Sequence, residues 1–354
     1  MKNLYIHGSF MNDNYGDYLL FERVYNICNK FSDDYYVYSS DVSSFYDNFM
    51  SFNRKSKKEA IDEADVIVLA GGGYFGEPPK MKLLWNIRFL IKHALPIYKA
   101  TRRKVPVCVV GLGVGPLSLY VSRLITKFIF NNAEIVCVRD QESKEFLLSC
   151  GVDRDILCFP DIMMGATKKE LLGNIDYSDI NSTGKIVVHL TTKCDSKTDN
   201  MFKVISDVKK IANEYGEKLV IVTDQARESQ RKRAEHIREI LEDSSIPIYY
   251  YNSPYELSNI ISKSKMVITD KLHVGIIATR FSIPVISVAA HTKTLRFYKQ
   301  IGREYCNVLL NNVKDNTVFN MYKKVISTPV LIDNFVSDSD NSMVMLEKFL
   351  TNNK

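Results

Sequence analysis

The feature that most constrains this chain is an alternation: short apolar, β-branched runs are separated by longer stretches with helical periodicity. Parallel βαβ units produce that rhythm, because each buried strand must be followed by a crossover helix. In the first half the runs Leu4–His7, Tyr35–Ser39, Val66–Ala70, Val107–Gly111, Ile135–Arg139 and Leu157–Pro160 predict strands. Stretches near Tyr18–Lys30, Lys55–Glu63, Met81–Thr101, Ser118–Asn131 and Gln141–Cys150 predict the helices between them. Each strand run ends in a segment rich in Gly, Asn or Asp, which is where open α/β sheets hold their ligands.

The polar stretch Lys168–Gly184 has no periodicity and reads as a linker. The alternation then restarts, with strands expected at Ile186–Leu190, Leu219–Thr223, Ile248–Tyr251, Met266–Thr269 and Val285–Val288. Helices are expected at Met201–Tyr215, Glu228–Leu241 and Lys271–Phe281, and another after Ser253-Pro254-Tyr255-Glu256, which offers a cap and a proline at the first helical position. The chain therefore reads as α/β, with two Rossmann-like domains facing a cleft. They are expected over residues 1–167 and 185–335. Residues 336–354 would form a final helix, near Ser342–Leu350, and a tail that packs back across the first domain.

The length of 354 residues suits two domains of ordinary size. The net charge of +6 mildly favours anionic small molecules or an anionic membrane surface. Nucleic acid is not expected, because the basic residues are not interleaved with aromatics in a recognisable module. The seven cysteines are scattered without a CxxC pair and read as reduced, which points to a cytoplasmic protein. No signal-peptide core and no run of about 18 apolar residues is present. The six histidines show no close pairing at ligand spacing, so no metal is expected.

Four segments carry chemistry. Asn12-Asp13-Asn14-Tyr15-Gly16-Asp17 follows the first strand; its polar side chains either cap the next helix or reach a ligand. Gly71-Gly72-Gly73-Tyr74-Phe75-Gly76 follows the third strand, where backbone N–H groups can approach a ligand, or the glycines simply turn the chain. Arg139, at the end of its strand, is placed to grip a carboxylate or phosphate with two parallel N–H bonds, or to pair with a local acid; Asp140 would cap the next helix. In Thr269-Asp270-Lys271-Leu272-His273, Asp270 reads as the helix cap and puts Lys271 and His273 in a first turn that favours anions. His273 there can donate to a phosphate, shuttle a proton or merely be structural. Lys293 adds a cation after the last strand, and His189 and His291 sit at strand ends.

In order and spacing these segments resemble the polysaccharide pyruvyl transferase family. The resemblance rests on the Asn-x-Gly-Asp loop, the Gly-Gly-Gly strand end and the run Pro106-Val107-Cys108-Val109-Val110-Gly111-Leu112-Gly113-Val114-Gly115-Pro116. It continues through Val138-Arg139-Asp140 with Ser143, Gly151-Val152, Pro160-Asp161, the x-Leu-His helix start, Pro284 and Lys293, and spans roughly residues 1–305. It implies a fold similar to the GT-B glycosyltransferase architecture, with phosphoenolpyruvate as co-substrate, no other cofactor, and a saccharide acceptor, free or lipid-linked. It also implies catalytic roles for Arg139, His273 and Lys293, and donor binding by these with Lys271, Gly72 and Gly73. Asn14, Asp17 and Tyr74 are expected on the acceptor side. One departure stands out: the family usually has arginine where this chain has Lys271, which keeps the charge but loses the planar fork.

Two rival readings remain: a nucleotide-sugar-dependent GT-B glycosyltransferase, and a non-catalytic member of a polysaccharide assembly complex. The stretch Lys80–Lys104 mixes Leu83, Leu84, Trp85, Phe89, Leu90 and Ile91 with several lysines and arginines. It either rests on the inner face of a membrane or covers the sheet with its lysines in solvent.

Overall fold

The computed structural model describes residues 1–78, 80–174 and 181–354. The chain divides into two compact units. Unit 1 comprises Met1–Asp13, Asp17–Gly165 and Ser337–Lys354; unit 2 comprises Asn14–Gly16 and Ala166–Val336.

Among the described residues, unit 1 holds eight strands: β1 (Lys2–His7), β2 (Tyr35–Ser39), β3 (Asn53–Arg54), β4 (Val66–Leu69), β5 (Gly72–Phe75), β6 (Val107–Val114), β7 (Ile135–Val138) and β8 (Leu157–Cys158). They run in the order β3-β2-β1-β4-β6-β7-β8, with β5 paired to β6. Unit 2 holds β9 (Ile186–His189), β10 (Leu219–Val222), β11 (Ile248–Tyr249), β12 (Met266–Thr269), β13 (Val285–Ala289) and β14 (Asn307–Leu309), in the order β11-β10-β9-β12-β13-β14. All of these pairings are parallel. Both sheets have the doubly wound order in which the direction of winding reverses beside the first strand, between β1 and β4 and between β9 and β12. The central strands β4, β6, β9, β10 and β12 are buried throughout, as strands covered by helices on both faces must be.

Several local expectations change. The glycine run after β4 is a strand, not an open loop, because β6 extends to Val114 and supplies a parallel partner for Gly72 and Phe75. The linker reading is corrected at its start: Thr167 and Glu170 form a reciprocal capping box, and Lys168–Leu172 is helical. The middle of that stretch, residues 175–180, lies outside the described residues.

The helix expected over Met81–Thr101 is present as Lys82–Phe89 and Leu95–Arg102 joined by a π-helical turn over Leu90–Ala94. Pro96 explains the turn. It has no N–H for the carbonyl of Lys92, and its ring would crowd that carbonyl. The ladder widens instead, with the N–H of Leu95 donating to the carbonyl of Leu90. The last helix runs over Asp333–Asn352. Within unit 1 it is fixed by Arg23 to Asp340 at 2.6 Å and by the Tyr35 hydroxyl donating to the Leu350 carbonyl at 2.8 Å.

Candidate active site

In unit 2 the polar groups gather where β9, β10 and β12 end, at the reversal in winding. His189 closes β9 and is fully buried, with its Nδ1 2.9 Å from Oγ1 of Thr269, the last residue of β12. The backbone N–H of Lys271 donates to the same Oγ1 at 3.0 Å. On the other side of the ring, Nε2 lies 3.5 Å from Oδ1 of Asp224. Burial pushes the Asp224 carboxyl up, but the nearness of His189, with help from Lys271, outweighs it and holds the group below the usual aspartate value. The Thr269 hydroxyl thus ties the histidine ring to the chain at Lys271, with the Asp224 carboxylate facing the ring's other edge.

Asp270 does not cap the helix that follows. Its carboxylate accepts from the backbone N–H of Thr191 at 2.9 Å and of Thr192 at 2.6 Å, and from both hydroxyls. The helix runs over Leu272–Arg280, with Lys271 itself in the cap position and no side-chain cap. His273 therefore stands at its second residue, where backbone N–H groups are still outside the ladder. His291 caps the next helix, Thr292–Gln300, which carries Lys293 in its first turn. Burial lowers the His291 pKa, and the fields of Lys293 and Lys271 lower it further, against Asp270.

The Asn14–Gly16 tripeptide completes this cluster. The N–H of Tyr15 donates to the carbonyl of Asp224 at 3.0 Å, and the Tyr15 hydroxyl is bonded to Ser258 at 2.7 Å. Asn14 Oδ1 accepts from the N–H of Gly16 at 2.9 Å, which tightens the turn. A Cβ on Gly16 would lie 2.0 Å from Nδ1 of His273, so the imidazole packs on bare backbone. The glycine is needed for this close approach.

In unit 1, Arg139 follows β7 with only 6% of its surface exposed. Its guanidinium lies 3.4 Å from Asp161 and 3.6 Å from Asp140, both buried. Asp140 caps the next helix, accepting from the N–H and hydroxyl of Ser143 at 2.8 and 2.6 Å. The guanidinium rests on Gly113, where a Cβ would lie 2.7 Å from Nε and from Nη2, and Gly73 approaches the same group. Gly72 adopts φ +127°, a conformation that side chains rarely take. Asp17 lies in the first turn of the helix Tyr15–Asn29. Tyr74 is buried with its hydroxyl directed at the carbonyls of Ala70 and His7, and burial raises its pKa well above the usual tyrosine value. Arg139, Tyr74, Asp17 and the glycines belong to unit 1; Lys271, His273, Lys293 and Asn14 belong to unit 2.

Sequence reasoning missed the Asp224–His189–Thr269 chain and the grip of Asp270 on Thr191 and Thr192. It also missed a meeting of two histidines: His7 Nε2 lies 3.0 Å from His93 Nδ1, although 86 positions separate them. The available signal was topological, since His7 and His189 each close the first strand of a doubly wound sheet. Among the described residues, no group of three or more His, Cys, Asp or Glu is arranged to hold a metal ion.

Two parallel sheets of doubly wound order, each carrying polar groups at its strand ends, define a two-domain α/β protein of the GT-B kind. Solved structures agree on that fold. The UDP-GlcNAc 2-epimerase from Methanocaldococcus jannaschii matches with a TM-score of 0.71 and 14% identity, over 99% of this chain and 100% of that one. S. aureus MnaA in complex with UDP gives a TM-score of 0.65 at 13% identity, over 100% and 98% of the two chains. The Neisseria meningitidis UDP-GlcNAc 2-epimerase bound to UDP-GlcNAc gives 0.60 at 12%, over 99% and 100%. No match to a curated protein sequence was found. The sequence pattern of the polysaccharide pyruvyl transferases matches residues 14–292, and the chain belongs to that family.

Proposed function

We propose that this chain moves the pyruvyl group of phosphoenolpyruvate onto two hydroxyls of one saccharide unit, forming a pyruvate ketal. The observation that carries the reading is the start of the helix Leu272–Arg280. There Lys271 and His273 adjoin at the positive end of the helix dipole, and Lys293 stands in the first turn of the next helix. Such a cluster suits a small molecule that carries both a phosphate and a carboxylate. Arg139 takes a supporting part in donor binding, as the family resemblance implies. Because its guanidinium already faces Asp140 and Asp161, its charge is partly committed inside unit 1.

In the proposed reaction a proton adds to the methylene carbon of phosphoenolpyruvate, and the first sugar hydroxyl attacks the adjacent carbon and loses its own proton. Inorganic phosphate then leaves, and a second hydroxyl attacks the same carbon and loses its proton, closing the ketal. His273 serves as the acid–base group or holds the departing phosphate; general acid–base catalysis is worth about a hundred- to ten-thousand-fold. Asn14 shapes the turn beneath His273, and Asp17 and Tyr74 stay assigned to the acceptor side.

The same reading puts the chain in the cytoplasm, at the membrane face when the acceptor is lipid-linked. No helix among the described residues is long and apolar enough to cross a membrane. The helix Lys82–Arg102 nonetheless exposes Leu83, Ile87 and Ile91, and Tyr120, Val121 and Leu124 are exposed on the helix Tyr120–Asn132 packed beside it. Lys82, Arg88, Lys99 and Arg102 flank this apolar surface. That combination suits contact with an anionic bilayer.

The test is heat protection followed by turnover. Phosphoenolpyruvate at a hundredfold excess over its Kd should stabilise the chain by about 2.7 kcal/mol. Candidate glycans should then gain one pyruvate ketal by mass as phosphate is released. Protection by a nucleotide sugar and not by phosphoenolpyruvate would overturn the reading in favour of a glycosyltransferase.

A further inference from the structure

Unit 1 contains a cavity of about 240 Å³ at the carboxyl ends of β1 and β2, the edge at which open α/β sheets hold ligands. Its volume suits a ligand about the size of one sugar ring. Its wall is a chain of hydrogen bonds. The Ser40 hydroxyl is 2.7 Å from the Tyr5 hydroxyl, which is 2.8 Å from Nδ1 of His7, whose Nε2 is 3.0 Å from Nδ1 of His93. Tyr5, His7 and Ser40 are buried, and the Tyr74 ring backs His93 with centroids 4.8 Å apart. Each neutral ring carries one N–H, so the chain can be polarised in either direction.

Two lysines share the cavity lining with this chain. Lys57 opens the helix Lys57–Asp62, and its ammonium lies 3.8 Å from Asp41, which also lines the cavity. Lys92 and His93 come from the π-helical turn Leu90–Ala94, a wide turn of the kind that recurs at functional sites. Burial, the neighbouring ring and the lysines hold His7 well below the usual histidine pKa and bring His93 down to about 3. Burial and Lys92 also lower Lys57, in part offset by Asp41. Two cations and two neutral imidazoles against one carboxylate leave the cavity with a surplus of positive charge. An oxyanion would relieve it.

We infer that this cavity is a binding site for a single sugar unit carrying an oxyanion, with Lys57 and Lys92 holding the charge and the His7–His93 pair bonding to the ring's polar groups. The site is tested without phosphoenolpyruvate, so its failure and the failure of the pyruvyl-transfer reading are distinguishable.

Isothermal titration of the full chain with glucose 1-phosphate, glucuronate, glucose and inorganic phosphate separates the components of the claim. At least one of the two sugar anions should bind tenfold or more tightly than glucose and than phosphate. Lys57→Met and Lys92→Met should each weaken that binding about tenfold, whereas Lys99→Met, on the same helix and outside the cavity, should leave it unchanged. Histidine imidazole NMR should show resonances shifting with the sugar anion and vanishing in His93→Gln. Equal affinity for glucose would remove the anion from the claim, and equal affinity for phosphate would remove the sugar. Binding that survives both Lys→Met changes would place the ligand elsewhere and overturn the assignment.

Discussion

Gly16→Ala is the sharpest test of how unit 2 holds its histidine. The added Cβ would sit 2.0 Å from Nδ1, 2.4 Å from Cγ and 2.6 Å from Cβ of His273. Ordinary contact for such atoms begins at 3.4 Å, so the imidazole or the Asn14–Gly16 backbone must give by about 1.4 Å. Gly16 does not have a positive φ, so the alanine adds no backbone strain. A glycine-to-alanine change of that kind alone would stabilise by about 0.4–1 kcal/mol through the unfolded chain. Overpacking costs about 1–3 kcal/mol, and the net expectation is a loss of about 1–2 kcal/mol.

If His273 carries the proton or the phosphate, misplacement by about 1 Å or more should also cut turnover by roughly a hundredfold. Urea unfolding and phosphate release give the two readouts. A double-mutant cycle with His273→Gly isolates the contact, because alanine at 273 would keep the Cβ that also clashes. In the His273→Gly background Gly16→Ala should cost little or nothing. An unchanged penalty in that background would show that Gly16 acts on something other than the imidazole. Full turnover and full stability in the single variant would refute the packing argument outright.

Three further outcomes follow. Arg139→Met removes the cation between buried Asp140 and Asp161 and should cost about 3–5 kcal/mol in urea unfolding, whatever its effect on donor binding; a loss under 1 kcal/mol would mean the ion pairs are dispensable. His7 and His93 are held neutral in the fold, so the unfolded chain binds more protons below the ordinary histidine pKa of about 6.5. Stability is then complete above that pH and falls on acidification, by about 1.4 kcal/mol per pH unit for each imidazole, with His93 continuing down to about 3. His93→Gln should flatten the slope between pH 6.5 and 5, and an unaltered slope would contradict the assignment. Ile87→Asp with Ile91→Asp should abolish salt-sensitive sedimentation with anionic liposomes, and if the unaltered chain fails to sediment, the membrane contact is withdrawn.

The fold was legible because the apolar runs are consecutive and short, and a buried parallel strand needs little else. Leu4 to His7, Tyr35 to Ser39 and Met266 to Thr269 lie in strands as read. What escaped was decided by partners distant in sequence. Glycine has poor strand propensity, yet Gly72 and Gly73 lie in β5 because β6 runs alongside. Aspartate is a favoured cap, yet Asp270 accepts from Thr191 and Thr192 far upstream. The short strand Asn307–Leu309 and the helices Thr292–Gln300 and Thr317–Ser327 were not read at all. The capping box at Thr167–Glu170 and the proline at 96 were local signals open to reading, and both changed the outcome they bear on.

The two sheets place a histidine at the same topological point and then give it opposite company. His189 has a buried carboxylate beside Nε2 and a hydroxyl at Nδ1, and its nearness helps hold the Asp224 carboxyl below the usual aspartate value. His7 has a phenol on one side and a second imidazole on the other, with lysines nearby, so its environment rejects a positive ring. The first arrangement fixes a ring and, through Thr269, the start of the helix that presents Lys271 and His273. The second leaves excess positive charge facing a cavity, which a bound anion would relieve. Histidine alone therefore says nothing about role; the sign of the nearest charges does. In unit 2 the histidine at the strand end positions the helix start that presents Lys271 and His273, whereas in unit 1 it lines the cavity itself.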